Sequence, residues 1–255
     1  MDFELNGKVA LISGASGGIG SETARVLAKE GAQTILVARR EAQLQALADE
    51  IAEVCSRRPM VIVPDLTKRD SYERIRKQVT EAFGGVDLLI NNLGQARPFD
   101  MKTSDGEWDA AFELNFTPTR KLTETFIEGM QQRGFGRIVN LTSKSEPTHV
   151  SGSLTSKAAV VMWAKGLSRL VGKDGITVNC VTPGILMTDQ IRDHYLPTFM
   201  PTKEDQQKFL DEEVPMGRFG DPVDAAHLIA FLCSAKAGYI TGQRIYVDGG
   251  KIRHI

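Results

Sequence analysis

The chain alternates short apolar runs with longer segments of helical periodicity, and this alternation limits its fold more than any other feature. The apolar runs are only three to five residues long, which suits strands buried on both faces of a sheet. Parallel strands need right-handed crossover connections, and the helices of those connections cover both faces of the sheet. The pattern therefore predicts an α/β protein built on a doubly wound parallel sheet of about seven strands.

The boundaries of the elements follow from the same pattern. The predicted strands are residues 9–13, 34–37, 61–63, 86–90, 137–141, 177–181 and 243–247. The predicted helices are residues 19–29, 41–55, 69–83, 107–133, 157–172 and 223–233. Between residues 188 and 215 the alternation stops, and we expect a helical excursion there that covers the substrate. Residues 1–255 are otherwise interpreted as a single domain.

Charge and composition exclude several classes of partner. Lys and Arg number 31 against 32 Asp and Glu, so the formal net charge is -1, which gives no reason to expect a nucleic-acid or anionic-membrane surface. No apolar stretch approaches about 18 residues, and the acidic amino terminus lacks a signal-peptide core. The three cysteines form no CxxC pair, and no His cluster has metal spacing. We therefore expect a cytoplasmic protein without a metal site.

A glycine-rich turn, GASGGIG, follows the first predicted strand at residues 14–20. Glycines permit a tight turn and the close approach of a pyrophosphate, whose charge is then bound by amides at the helix start. The spacing alone is weak evidence, and its position between a strand and a helix is what strengthens it. The candidate cofactor-binding residues here are Gly14, Ser16, Gly17, Gly18, Ile19 and Gly20.

The end of the second predicted strand indicates which dinucleotide is bound. NAD-binding proteins place a carboxylate there for the ribose hydroxyls, whereas this chain has Arg39 and Arg40. A guanidinium group binds a 2′-phosphate, and no acidic residue repels it. NADP(H) is therefore favoured over NAD(H), the alternative being that both arginines are merely solvated.

Further motifs complete a resemblance to a known family. They are Asp65-Leu66 after the third strand, NNLG at residues 91–94, Asn115 in ELNF, Ser143 after NLT, Lys157 before AAV, Pro183-Gly184 with Thr188, and the carboxy-terminal YITGQRIYVDGG. In this order and spacing, with the glycine turn, they resemble a classical short-chain dehydrogenase/reductase, a Rossmann-type protein, over essentially the whole chain.

The resemblance implies roles for these residues. Ser143 would polarise a substrate carbonyl, Lys157 would bind the nicotinamide ribose, and Asn115 would hold a proton-relay water. It also implies three groups of cofactor contacts. Asp65 and Leu66 would contact the adenine, and Asn91, Asn92 and Gly94 would lie on the adenosine side. The nicotinamide and the phosphates would be contacted by Pro183, Gly184, Ile185 and Thr188.

The family's proton donor is missing. A Tyr stands four residues before the Lys in the family, whereas Ser153 occupies that position here, and residues 140–160 contain no Tyr. An aliphatic hydroxyl is a far weaker acid than a phenol. Its oxygen also ends about 5 Å short of the phenol oxygen, beyond the ~3 Å of direct proton transfer. Since positioned acid-base catalysis contributes about 10² to 10⁴ in rate, activity would fall without vanishing.

Other groups are candidates for the proton donor. A bridging water, Tyr195, His149 and His194 remain open, and Tyr195 is preferred among the side chains because of its acidity and its place in the excursion. A nucleophilic pair of Ser153 and Lys157 is disfavoured, because its spacing differs from known Ser-Lys enzymes.

The preferred interpretation is an NADP(H)-dependent oxidoreductase acting on a carbonyl or secondary alcohol, similar to 3-oxoacyl reductases, with an atypical proton donor. A small-molecule substrate and a homodimer or homotetramer follow from the resemblance. The alternatives are a lyase or isomerase in which Lys157 or Ser143 stabilises an enolate, and a dinucleotide sensor or supporting subunit without activity. A last alternative is that Ser153 replaces a natural Tyr by engineering.

Overall fold

A computed structural model of the chain describes residues 2–55, 57–95, 99–144, 146–147 and 149–253. These residues form a seven-stranded sheet in which every neighbouring pair is parallel, in the order β3-β2-β1-β4-β5-β6-β7. The strands are β1 (Val9–Ser13), β2 (Gln33–Val37), β3 (Met60–Ile62), β4 (Leu88–Asn91), β5 (Gly136–Leu141), β6 (Ile176–Pro183) and β7 (Arg244–Val247). The predicted doubly wound fold is confirmed.

Helices cover both faces of this sheet. They are α1 (Gly18–Lys29), α2 (Glu41–Cys55), α3 (Arg69–Phe83), α4 (Asp105–Asn115), α5 (Thr117–Arg133), α6 (Gly152–Val171), α7 (Leu196–Phe199), α8 (Lys203–Glu213) and α9 (Pro222–Cys233). One buried cluster joins the sheet to α1, α2 and α9, and a second joins it to α3, α5 and α6. Side chains alternate between the clusters along each strand: Ala10 and Ile12 enter the first, and Val9 and Leu11 enter the second. This two-sided burial explains why the strands are continuous apolar runs.

Two predicted helices differ from the structure by more than one residue, whereas the others agree to within one residue at each end. The helix predicted over residues 107–133 is divided at Phe116 into α4 and α5, with Pro118 in the first turn of α5. Proline lacks the amide hydrogen that a continuous helix would require at this point. The helix predicted from Lys157 begins earlier, at Gly152, because the Ser151 side chain accepts a hydrogen bond from the Leu154 amide and caps it. Both changes affect candidate site residues.

The segment between β6 and α9 consists of short helical pieces. Residues Ile191–Tyr195 form a π-helical turn that leads directly into α7, and α8 follows after Met200. Leu196, Met200 and Leu210 are buried and attach the segment to the rest of the fold. In the described part of the chain, no helix combines the length and apolar character that crossing a membrane requires.

Candidate cofactor-binding and active site

The candidate residues gather where the carboxyl ends of the central strands meet. From β1 the chain continues outward to β2 and β3, whereas β4 lies on the other side of β1 and begins the second half. Ligands of open parallel sheets bind in the crevice at such a reversal of strand order. The glycine turn and Ser143 follow strands at this edge, and the NNLG and Pro183-Gly184 motifs begin at the last residues of β4 and β6.

The glycine turn depends on its missing side chains. Gly14 has a φ of 67°, and its amide donates to the Val37 carbonyl at 2.8 Å. A Cβ at Gly20 would lie 2.3 Å from the Gly14 carbonyl oxygen, and one at Gly18, where φ is 56°, would lie 3.0 Å from Thr188 Cγ2. The turn therefore tolerates side chains at none of these three positions.

The first turn of α1 has the features of an anion-binding site. No side chain caps the helix at Gly17, and its first turn contains no acidic residue, so the amides there are available to a negatively charged group. Arg40 lies beside this end of the helix: its Nε donates to Ser16 Oγ at 3.0 Å, and a terminal nitrogen donates to the Ser16 carbonyl at 2.9 Å. A Cβ at Gly17 would be 3.0 Å from the same guanidinium. Arg39 is exposed nearby, so the positive charge lies next to the turn.

The loop after β3 is shaped by Asp65 and Leu66. The Asp65 carboxylate accepts hydrogen bonds from the Thr67 hydroxyl at 2.7 Å and from the Thr67 amide at 3.0 Å, and these bonds hold its pKa below the usual value. Leu66 is buried, and its carbonyl accepts a hydrogen bond from the Tyr72 hydroxyl. The loop is thus held in one conformation at the carboxyl edge of the sheet.

The two asparagines of NNLG have different environments. Asn92 lies at the crevice, where its amide donates to Ser13 Oγ at 3.1 Å and its side chain donates to the Gly14 carbonyl at 3.1 Å. Asn91 is buried in the sheet, and its side chain donates to Asn140 Oδ1 at 2.9 Å. Asn92 therefore joins β4 to the glycine turn, while Asn91 joins β4 to β5.

Lys157, Gly94 and Asn115 are brought together. The Lys157 ammonium is buried and donates to the Leu93 carbonyl at 2.7 Å. A Cβ at Gly94 would be 3.0 Å from both Asn115 Oδ1 and Lys157 Cε. Asn115 is the last residue of α4, and its Oδ1 accepts from the Gln95 amide at 2.9 Å, so the break at Phe116 positions it. Burial lowers the pKa of Lys157 to about 8.

Ser153 lies in the first turn of α6, one helical turn before Lys157. It is buried, and its hydroxyl is 3.0 Å from the hydroxyl of Ser151, the residue that caps the helix. The earlier start of α6 thus makes the candidate catalytic position part of a capped helix terminus.

Ser143 follows β5 and is tied to the far edge of the sheet. Its backbone carbonyl accepts a hydrogen bond from the guanidinium of Arg244 in β7, which also donates from Nε to Thr182 Oγ1 at 2.9 Å. The sequence motifs point to neither Arg244 nor Ser151. The signal for Arg244 was a charged residue within an apolar strand, and that for Ser151 was a cap residue before a helical pattern.

Residues 183–188 form the remaining wall of the crevice at the carboxyl ends of the strands. The Gly184 amide donates to the Val247 carbonyl at 2.8 Å, and a Cβ there would lie 2.6 Å from Asp248 Cα. Ile185 accepts from the Gly220 amide at 3.1 Å, and the Thr188 hydroxyl accepts from the Ile191 amide at 3.3 Å. Contact between Thr188 and Gly18 brings this wall against the glycine turn.

The three side chains predicted as candidate proton donors are exposed. His149 and His194 are exposed, and the Tyr195 ring lies 4.8 Å from the ring of Phe199. Partial burial raises the pKa of Tyr195, which makes it a weaker acid than a free tyrosine. In the described ranges, no group of three or more His, Cys, Asp or Glu residues is arranged to hold a metal ion.

Known proteins match this chain over nearly its whole length. A sequence model of the family described as enoyl-(acyl carrier protein) reductase matches residues 14–251. The 3-oxoacyl-(acyl-carrier-protein) reductase FabG of Vibrio cholerae is 36% identical over 252 residues, which cover 97% of this chain and 98% of that protein.

Solved structures agree with the sequence matches. L-sorbose reductase from Gluconobacter frateurii, in complex with NADPH and L-sorbose, superposes with a TM-score of 0.92 at 33% identity and covers 100% of both chains. YwfH, an NADPH-dependent reductase involved in bacilysin biosynthesis, has a TM-score of 0.92 at 27% identity, covering 98% of this chain and 100% of its own.

The sheet order and the glycine turn at the strand reversal define a Rossmann-type protein. Within that class, the chain belongs to the classical short-chain dehydrogenase/reductase family.

Proposed function

We propose that this protein is an NADP(H)-dependent oxidoreductase that interconverts a carbonyl and a secondary alcohol of a small-molecule substrate, in the manner of 3-oxoacyl reductases, with a proton donor other than tyrosine. The observation that carries the proposal is the buried Lys157 ammonium, held by the Leu93 carbonyl beside Gly94 and Asn115. The names of the similar proteins, a 3-oxoacyl reductase and a sorbose reductase with NADPH, support it.

Several features of the site support NADP(H) over NAD(H) as the cofactor. The glycine turn has no room for side chains, the start of α1 is uncapped, and Arg40 lies against Gly17 where a 2′-phosphate would be bound. Further contacts are proposed for the crevice residues described above, namely Asp65, Leu66, Asn92, Gly94, Pro183, Gly184, Ile185 and Thr188. Lys157 would bind the nicotinamide ribose.

In this proposal the chain binds, orients and supplies a proton, while NADPH, when bound, supplies the hydride to the carbonyl carbon. The Ser143 hydroxyl donates a hydrogen bond to the carbonyl oxygen and so polarises the carbonyl. That oxygen then needs a proton. Because the Ser153 hydroxyl ends about 5 Å short of where a tyrosine hydroxyl would lie, a water between Ser153 and the carbonyl oxygen completes the proton path. With a pKa of about 8, Lys157 Nζ is a proton source near neutral pH.

The test is NADPH oxidation with a panel of ketones and 3-oxoacyl thioesters. Lys157→Ala should lower kcat/KM at least ~10²-fold, because it removes the ribose contact and the proton source. Lys165→Ala, at an exposed position of the same helix, is the matched control and should leave the rate unchanged. Turnover that Lys157→Ala leaves untouched would refute the assignment. Ser153→Tyr should raise the rate on simple ketones by restoring a phenol.

A second candidate is a dinucleotide-binding subunit without turnover. It is favoured by the pairing of the Ser153 hydroxyl with Ser151, because this pair presents no group as acidic as a phenol. NADPH binding in the micromolar range, no turnover on the panel, and no gain in Ser153→Tyr would support this candidate over the first.

A homodimer or homotetramer in the cytoplasm completes the proposal. Met162 and Leu170 on α6 are 74% and 68% exposed, which suits a surface covered by another copy. The three cysteines are free, which suits a reducing compartment. Light scattering of the purified protein tests the assembly, and a monomer at micromolar concentration would contradict it.

A further inference from the structure

Arg244 connects three strands beneath the candidate active site. From β7 its side chain reaches across β6, where Nε donates to Thr182 Oγ1 at 2.9 Å, and a terminal nitrogen reaches the backbone carbonyl of Ser143 after β5. The Thr182 hydroxyl in turn pairs with the Thr142 hydroxyl at 2.7 Å. One guanidinium therefore holds the peptide group of the residue that would bind the substrate carbonyl.

The contacts of Arg244 are with neutral groups. Besides the Ser143 carbonyl and the Thr182 hydroxyl, it lies 5.1 Å from the centre of the Tyr246 ring. Lys157, the second cation of the site, likewise has a neutral partner, the Leu93 carbonyl. Within the described ranges, no carboxylate lies in ion-pair distance of either cation.

A third ionisable group of this region, the Cys180 thiol, is also neutral. Cys180 interacts electrostatically with both Lys157 and Arg244, and it is buried. Burial raises the pKa of the Cys180 thiol to about 11, against the opposing influence of both cations. The thiol therefore remains protonated at neutral pH, and the positive charge of Lys157 and Arg244 is not cancelled there.

The positive charge of Lys157 and Arg244 would favour carbonyl reduction. Hydride addition to a carbonyl places negative charge on the oxygen, and fixed cations and dipoles stabilise that charge. In the family the phenol protonates the oxygen as the charge develops. Without it, more charge remains on the oxygen, so electrostatic stabilisation matters more.

We propose that Arg244 is a positioning residue for carbonyl reduction, which holds the Ser143 backbone and, together with Lys157, makes the site positive where the alkoxide forms. This inference rests on the proposed function. It adds a residue outside the Ser, Lys and Asn positions, on a strand that the motifs did not connect with catalysis.

Arg244→Met tests the role, because methionine keeps an unbranched apolar side chain and removes the charge and both hydrogen bonds. We expect kcat to fall about 10- to 100-fold, while the NADPH dissociation constant and KM stay within about threefold. Arg244→Lys keeps the charge and should recover part of kcat. Arg58→Met is the matched control, since Arg58 is exposed and pairs with Asp49 away from the crevice, and kcat should not change.

A second background separates electrostatics from structure. Combined with Ser153→Tyr, the loss caused by Arg244→Met should be smaller, since a phenol neutralises the oxygen as charge develops. Three results would overturn this inference alone. They are an unchanged kcat in Arg244→Met, a loss of NADPH affinity as large as the loss of kcat, and a loss of kcat by the same factor in the wild-type and Ser153→Tyr proteins. A wild-type chain that turns over no ketone would overturn the proposed function, and this inference with it.

Discussion

Replacing Lys157 with methionine should change how the stability of the protein depends on pH. Burial lowers the pKa of Lys157 from 10.5 to about 8, and one pKa unit corresponds to about 1.4 kcal/mol, so a charged ammonium at this place costs about 3 kcal/mol. Between these two pH values the unfolded chain retains the proton and the native chain does not. The free energy of unfolding of the wild type therefore rises with pH across this window, and methionine removes that rise.

Urea unfolding of both proteins at several pH values measures the effect, because the difference between them cancels the titration of all groups that do not interact with Lys157. From about pH 7 to about pH 9.5 the difference should shift by about 2 kcal/mol in favour of the wild type. Lys165→Met, at an exposed position of α6, is the control, and its difference from the wild type should stay constant. A Lys157→Met difference that is constant within about 0.5 kcal/mol would refute the argument.

Four further substitutions test the site and its supports. Arg40→Ala should raise KM for NADPH about 10- to 100-fold and KM for NADH much less. Both cofactors would use the turn that Arg40 holds at Ser16, but only NADPH carries the 2′-phosphate. Equal effects on both cofactors in steady-state kinetics would contradict this. Gly20→Ala places a Cβ 2.3 Å from the Gly14 carbonyl oxygen, so it should destabilise the protein by more than about 2 kcal/mol and abolish NADPH binding. Gly106→Ala has open space around its Cβ and should instead stabilise the protein by about 0.5 to 1 kcal/mol, because alanine favours the helix α4. Thermal unfolding measures both changes in stability. Asp221→Ala removes the side-chain cap of α9 and should cost about 1 kcal/mol with kcat unchanged, and a large loss of activity would show that the cap also serves the site.

Elements with strong local signals were predicted closely. The predicted helices 41–55 and 69–83 coincide with α2 and α3. The end of α3 was predictable because Gly84, which follows it, adopts a left-handed conformation that other residues rarely take. The division at Phe116 was missed because Phe112 and Phe116 continue the helical periodicity through it, and Pro118 was the signal to weigh. Likewise, Ser151 marked the true start of α6.

The sequence by itself determined the class of sheet, the glycine turn at its first strand, the arginines after the second, and a serine, Ser153, four residues before Lys157. These features are local, because each depends on neighbouring residues or on short spacings along the chain. Only the tertiary structure decided that Arg244 bonds to Ser143, 101 residues away, and that burial lowers the pKa of Lys157 to about 8. Such properties arise from desolvation and from contacts between distant strands, and neither can be derived from spacing.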